Sequence, residues 1–208
     1  MNGRRRFALI RASQTTRADM TRQLLFVQGG GGRDAHDQWD AKLVESLERE
    51  LGPGYEVRYP RMPDEDRPEF ARWKAALRKE FDRLGDGAVL VGHSIGATIL
   101  VHSLAQEPPD RPPAGVFLVS MPFVGKGGWP SDEIEPDPDL GAKLPAQSPV
   151  YLYQGGADET VPAEHVELNA KAIPQAVVRK LPGRDHQLDN DMSEVAADIR
   201  ELGRRKPS

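Results

Sequence analysis

The 208-residue chain has 32 acidic and 28 basic side chains, a net charge of −4, 38% hydrophobic residues and no cysteine. This near-balance argues against a nucleic-acid or anionic-membrane partner, and the missing cysteines exclude disulfides, thiol nucleophiles and cysteine-ligated zinc or iron–sulfur centres. The length suits one domain, and no apolar run approaches the roughly 20 residues that span a bilayer.

Residues 1–20 read as a disordered N-terminal extension. Arg4-Arg5-Arg6 precede Phe7-Ala8-Leu9-Ile10, and Arg11 interrupts that run before a secretory core forms. One folded domain is expected over 21–204, with a cytoplasmic location. Leu24-Leu25-Phe26-Val27 predicts a buried strand and Gln28-Gly29-Gly30-Gly31-Gly32 a loop. A helix is predicted over 37–51, with Trp39, Leu43, Leu47 and Leu51 on one stripe, stopped by Gly52-Pro53-Gly54. Tyr55–Tyr59 predicts a strand and 68–84 a second helix, its stripe formed by Phe70, Trp73, Leu77, Phe81 and Leu84. Ala88-Val89-Leu90-Val91 is the next strand, followed by a helical run over 97–105 and then a proline-rich loop. Val116–Val119 and Val150–Tyr153 read as strands, separated by an irregular Gly-, Pro- and Asp-rich stretch over 123–147. A helix over 163–172, a strand near Ala176-Val177-Val178 and an amphipathic helix over 191–203 complete the chain. Apolar strands alternating with helices predict an α/β fold, a three-layer α/β/α sandwich with a mostly parallel sheet of about six strands.

Gly92-His93-Ser94-Ile95-Gly96 lies where the strand at 88–91 turns into the helix. This is G-x-S-x-G in strand–turn–helix context. The turn projects the Ser94 hydroxyl clear of the sheet, and flanking residues without a Cβ relieve the crowding that results. Ile95 follows the serine at the helix start, where its N–H has no helical partner and can donate to an oxyanion.

In a parallel sheet, ligands bind beyond the carboxyl ends of the strands. Asp158 follows the strand at 150–153, with Glu159 as an alternative acid, and His186 follows the last strand. Ser94, Asp158 and His186 thus occur in the order Ser…Asp…His, each after a strand, and suit the roles of nucleophile, orienter and base. A second oxyanion donor is expected near Gly30 or Gly31. His93 flanks the nucleophile and is expected in the pocket wall, with Phe123 and Trp129 from the irregular stretch. His102 and His165 read as structural. His36 beside Asp34 and Asp37 hints at metal ligands, but no second histidine stands at ligand spacing.

These residues resemble the α/β-hydrolase superfamily across about 22–203. Within it the chain resembles the small, lid-poor serine hydrolases related to retinoblastoma-binding protein 9 and the bacterial YdeN-like proteins. The shared features are the Gly-rich loop after the first strand, the elbow at 92–96, Gly156-Ala157-Asp158 followed by Val161-Pro162, and the late Asp185-His186. Gln28 departs from the His-Gly that many superfamily members carry there. The resemblance implies a compact α/β-hydrolase fold and acyl transfer to water without metal or organic cofactor. A small-molecule acyl ester, thioester or amide is the expected substrate, with neither nucleic acid nor membrane as partner. A protein-binding module on the same fold, and other chemistry on it, stay open at this point.

Overall fold

The computed structural model describes residues 21–204. The expected extension over 1–20 lies outside the described residues. Six strands, β1 (Arg22–Val27), β2 (Tyr55–Arg58), β3 (Val89–His93), β4 (Gly115–Val119), β5 (Val150–Gly155) and β6 (Val177–Leu181), form one sheet in the order β2-β1-β3-β4-β5-β6. Every pairing in it is parallel. Five helices connect and cover them: α1 (Ala41–Leu51), α2 (Phe70–Phe81), α3 (Ser94–Gln106), α4 (Glu164–Ala172) and α5 (Ser193–Arg204).

The central strands are apolar on both faces because both faces are covered. Leu25, Val27, Leu90, Val116, Leu118 and Leu152 pack on one side with Trp73 and Leu77 of α2, Leu100 and Leu104 of α3 and Val166 of α4. Their strand neighbours Leu24, Phe26, Val89, Phe117 and Tyr153 point the other way, onto Leu43 and Leu47 of α1 and Val195 and Ile199 of α5. The period-2 alternation of strand side chains therefore divides one apolar run between two cores.

The chain goes from β1 out to β2, then returns to lay β3 on the other flank of β1. That reversal opens a crevice beyond the carboxyl ends of β1 and β3, the usual ligand position in such sheets. The stretch 123–147 is irregular as expected, carrying an isolated Val124–Trp129 bridge and a short turn of helix at Leu140–Lys143.

One expectation fails at the start of α1. Residues Ala35–Asp40 wind as a π-turn, in which the Ala41 N–H reaches back to the His36 carbonyl, and α-helix begins at Ala41. The wider winding changes the phase of the residues before it. Trp39 leaves the Leu43–Leu47–Leu51 stripe and stands 56% exposed.

Candidate active site

Ser94 sits between β3 and α3 at φ 52°, a left-handed conformation rare for a residue with a side chain. Two glycines make the turn possible. A Cβ on Gly92 would lie 2.7 Å from the Ala97 Cα, and one on Gly96 would overlap the Gln28 carbonyl oxygen and lie 2.9 Å from its carbon. Both obstacles are backbone, so no rotamer change relieves them. The strained serine is held by close packing of β1 against the start of α3.

The Ser94 Oγ is 3.0 Å from His186 Nε2, and His186 Nδ1 is 2.9 Å from Asp158 Oδ2. With Nδ1 donating to the carboxylate, Nε2 is left as the acceptor for the serine hydroxyl. Asp158 is fixed in turn. Its Oδ1 accepts the N–H groups of Thr160 and Val161 at 2.9 and 2.8 Å, and its Oδ2 accepts Gln154 Nε2 at 2.9 Å. Burial alone would push the Asp158 carboxyl up. The hydrogen bonds from His186, Val161 and Thr160 outweigh it and hold the group below the ordinary carboxylate value, ionised at neutral pH. Asp158 rather than exposed Glu159 takes this position.

A second acid–imidazole pair lies beneath. Asp40 and His93 are each 1% exposed. His93 Nδ1 is 3.0 Å from Asp40 Oδ2, and Nε2 is 3.1 Å from the backbone oxygen of His186. Burial pushes the His93 pKa down and that of Asp40 up. The mutual attraction and hydrogen bond win in both cases, raising His93 and lowering Asp40. Asp40 also accepts the Gly29 N–H at 2.6 Å and Gln187 Nε2 at 3.3 Å.

A sequence model described as the alpha/beta hydrolase family matches residues 24–151, more than half of the chain. The chain belongs to that family. No curated protein matches it. Among solved structures, this hydrolase-family chain is similar to the ydeN gene product of B. subtilis, with a TM-score of 0.70 at 18% identity over 89% of this chain and 100% of that one. A putative YdeN-like hydrolase from Pectobacterium atrosepticum aligns with a TM-score of 0.61 at 19% identity, over 87% of this chain and 92% of that one. An α/β serine hydrolase without lid from Xanthomonas campestris aligns with a TM-score of 0.59 at 17% identity, over 89% of this chain and 84% of that one.

In this family member an open cleft of about 300 Å³ borders Ser94 and His186, lined by Gly29–Gly32, Trp39, His93, Trp129, Thr160 and Gln187. The Gly-rich loop is tied down rather than loose. Gly29 N–H is committed to Asp40 and Gly31 N–H to the Glu65 carbonyl at 2.8 Å, so Gly30 between them is the better placed of the two expected donors. Ile95 lies in the first turn of α3, beside the serine.

Gln28, where a histidine is more usual, is fully buried and turned away from the cleft. Its Oε1 accepts the Met62 N–H at 2.9 Å and its Nε2 donates to Glu65 at 2.6 Å, bracing the 62–65 segment against β1.

Trp129 lines the cleft as expected, and His93 forms its buried floor. Phe123 is a correction. It packs half-buried against the core on the α2–α3 side. Its carbonyl accepts the Trp129 N–H at 2.9 Å, so the turn doubles back and carries Trp129 outward in its place. His102 is buried and neutral, burial lowering its pKa to about 4, and the His165 Nδ1 accepts the Phe123 N–H at 2.8 Å. Both serve structure. The His36 ring is 2.8 Å from Asp37 and 3.2 Å from the Tyr59 carbonyl and stacks on Tyr59, which commits both nitrogens. Among the described residues no group of three or more His, Asp or Glu side chains could hold a metal ion. No helix among them is long and apolar enough to cross a membrane.

Asp40, Trp39, Gln187 and Ser120, whose Oγ donates to the His186 carbonyl at 2.9 Å, are residues around the site that sequence reasoning missed. A tryptophan beside an aspartate at a helix start was the available signal for the first two, but helical periodicity absorbed it.

Proposed function

We propose that this family member is a serine hydrolase acting on a small acyl ester, thioester or amide. The observation that carries the reading is the unbroken Ser94–His186–Asp158 line, with 3.0 and 2.9 Å separations, on a serine held at φ 52°. Ser94 Oγ attacks the acyl carbonyl while His186 Nε2 takes its proton. Asp158 keeps the Nδ1–H tautomer and stabilises the imidazolium. The N–H groups of Ile95 and Gly30 receive the oxyanion. Collapse expels the alcohol, thiol or amine with the proton returned by His186. Water, deprotonated by the same imidazole, then releases the acid and restores Ser94.

The openness of the cleft between Trp39 and Trp129 supports a short acyl group, and the lidless serine hydrolase among the structural neighbours is consistent with it. The test is labelling by a fluorophosphonate, together with turnover of p-nitrophenyl esters of increasing acyl length. Wild type is expected to label and to turn over the shorter esters; Ser94→Ala is expected to do neither. Labelling that survives Ser94→Ala, or folded wild type that neither labels nor turns over any ester, rejects the reading and leaves a binding role.

A further inference from the structure

We propose that Asp40 and His93 are a buried positioning pair that holds His186 and the Gly30 donor in register on Ser94. The proposal rests on the reading of Ser94, His186 and Asp158 above and extends it to two residues that touch no reacting atom.

Both ring nitrogens of His93 face groups that only accept: a carboxylate and a peptide carbonyl. A neutral imidazole has one N–H and satisfies one such partner; the imidazolium satisfies both. The carboxylate of Asp40 meets Gly29 N–H and Gln187 Nε2 besides His93, three donors in all, and so favours its ionised form. This pair therefore sits in surroundings built for its charges.

What the pair touches gives it a task. Asp40 holds the glycine loop through Gly29, His93 holds the peptide of His186, and Gln187 closes back onto Asp40. The loops after β1 and β6 thus meet the end of β3 on two side chains. The His186 carbonyl receives a second donor, the buried Ser120 Oγ, at 2.9 Å. Two donors on one carbonyl fix the rotation of that peptide plane, and with it the direction of the His186 Cα–Cβ bond. The imidazole must then bridge Asp158 and Ser94 at 2.9 and 3.0 Å, a span with little tolerance. The rings of His93 and His186 stand 4.9 Å apart without sharing a hydrogen bond, so His93 acts on the base through its backbone.

The test uses the full-length protein with His93→Asn, His93→Gln, Asp40→Asn and Ser120→Ala. Readouts are thermal unfolding, kcat and KM on p-nitrophenyl acetate, and the rate of fluorophosphonate labelling at Ser94. A glutamine amide reaches the Nε2 position and keeps the bond to the His186 carbonyl; an asparagine amide does not. His93→Asn is expected to lower kcat and the labelling rate about 100-fold, the scale of a one-ångström misplacement, with KM near wild type. His93→Gln is expected to recover at least about tenfold of that loss, the upper range of one hydrogen bond. Ser120→Ala removes a donor to the same carbonyl without stranding a charge, so it decides the question even if the charge-altering variants misfold; a loss of about tenfold in kcat is expected. Asp40→Asn is expected to slow labelling as His93→Asn does, and ¹⁵N spectra of histidine-labelled protein to show both His93 ring nitrogens protonated at neutral pH in wild type but not in Asp40→Asn. Folded variants with wild-type kcat and labelling rates, or equal kcat in His93→Asn and His93→Gln, overturn the positioning role while leaving Ser94 as nucleophile. Labelling that survives Ser94→Ala overturns the nucleophile, and the positioning role with it.

Discussion

Asp158→Asn tests the proton-transfer line without changing its shape. Asparagine is isosteric, so its orientation is decided by partners. Asp158 Oδ1 accepts two backbone N–H groups, from Thr160 at 2.9 Å and Val161 at 2.8 Å. The one remaining acceptor oxygen of the amide will take that position, because turning it away would leave both N–H groups facing another donor. The amide NH₂ then occupies the Oδ2 position, facing His186 Nδ1 and Gln154 Nε2. His186 can meet a donor there only by presenting an unprotonated Nδ1. Its proton moves to Nε2, which then points an N–H at Ser94 Oγ and cannot accept the serine proton. A wrong tautomer of this kind lowers kcat by about 10⁴ in a serine triad, or about 5 kcal/mol on the barrier. The assay is p-nitrophenyl acetate hydrolysis, with kcat and KM separated and the fluorophosphonate labelling rate as an independent measure of Ser94 reactivity. Both rates are expected to fall together, with KM nearly unchanged. A folded Asp158→Asn protein within about tenfold of wild-type kcat would refute the tautomer argument, since the expected loss is about 10⁴.

Gly96→Ala is expected to destabilise by about 3 kcal/mol or more, because its Cβ would strike the Gln28 backbone; Gly32→Ala, with nothing within 4 Å of its Cβ, stays near wild type in the same urea titration. Trp39→Ala removes a cleft wall that is 56% exposed. It is expected to raise KM for the longer acyl esters while stability stays within about 0.5 kcal/mol. Asp191 is held at a pKa of about 2, from an ordinary 3.8, chiefly by its hydrogen bond to Arg184. A depressed carboxylate stabilises the fold fully above its unfolded value, and that contribution disappears as pH falls through the folded one. Thermal unfolding of Asp191→Asn is therefore expected to fall less steeply than wild type between about pH 4 and pH 2; an identical acid limb would refute the assignment.

Ser94, Asp158 and His186 were legible in the sequence because each stands within a few residues of the carboxyl end of a strand, and those ends mark one edge of a parallel sheet. Gly92 and Gly96 were legible for the same reason: the clash they avoid is within the turn itself or with the adjacent strand. Phe123 and Trp129 were not separable, since both are aromatic and six residues of irregular chain decide which one points outward. That the Gly31 N–H is taken up by the Glu65 carbonyl was equally hidden, because that carbonyl arrives from another loop.

The sequence by itself determined the order of strands and helices, the two-faced burial of the central strands and the identity of the residues aligned on Ser94. Those features follow from periodicity and turn chemistry over a few neighbouring residues. Tertiary structure alone decided that Asp40 faces His93, 53 positions away, and Gln187, 147 positions away, and that His93 grips the backbone of His186. A buried charge is stable only beside partners that pair with it, and here those partners come from the loop after β1, the end of β3 and the loop after β6, which share no local sequence signal. The same holds for Trp39: a π-turn winding of 35–40 carried it off the helix stripe and onto the rim of the cleft.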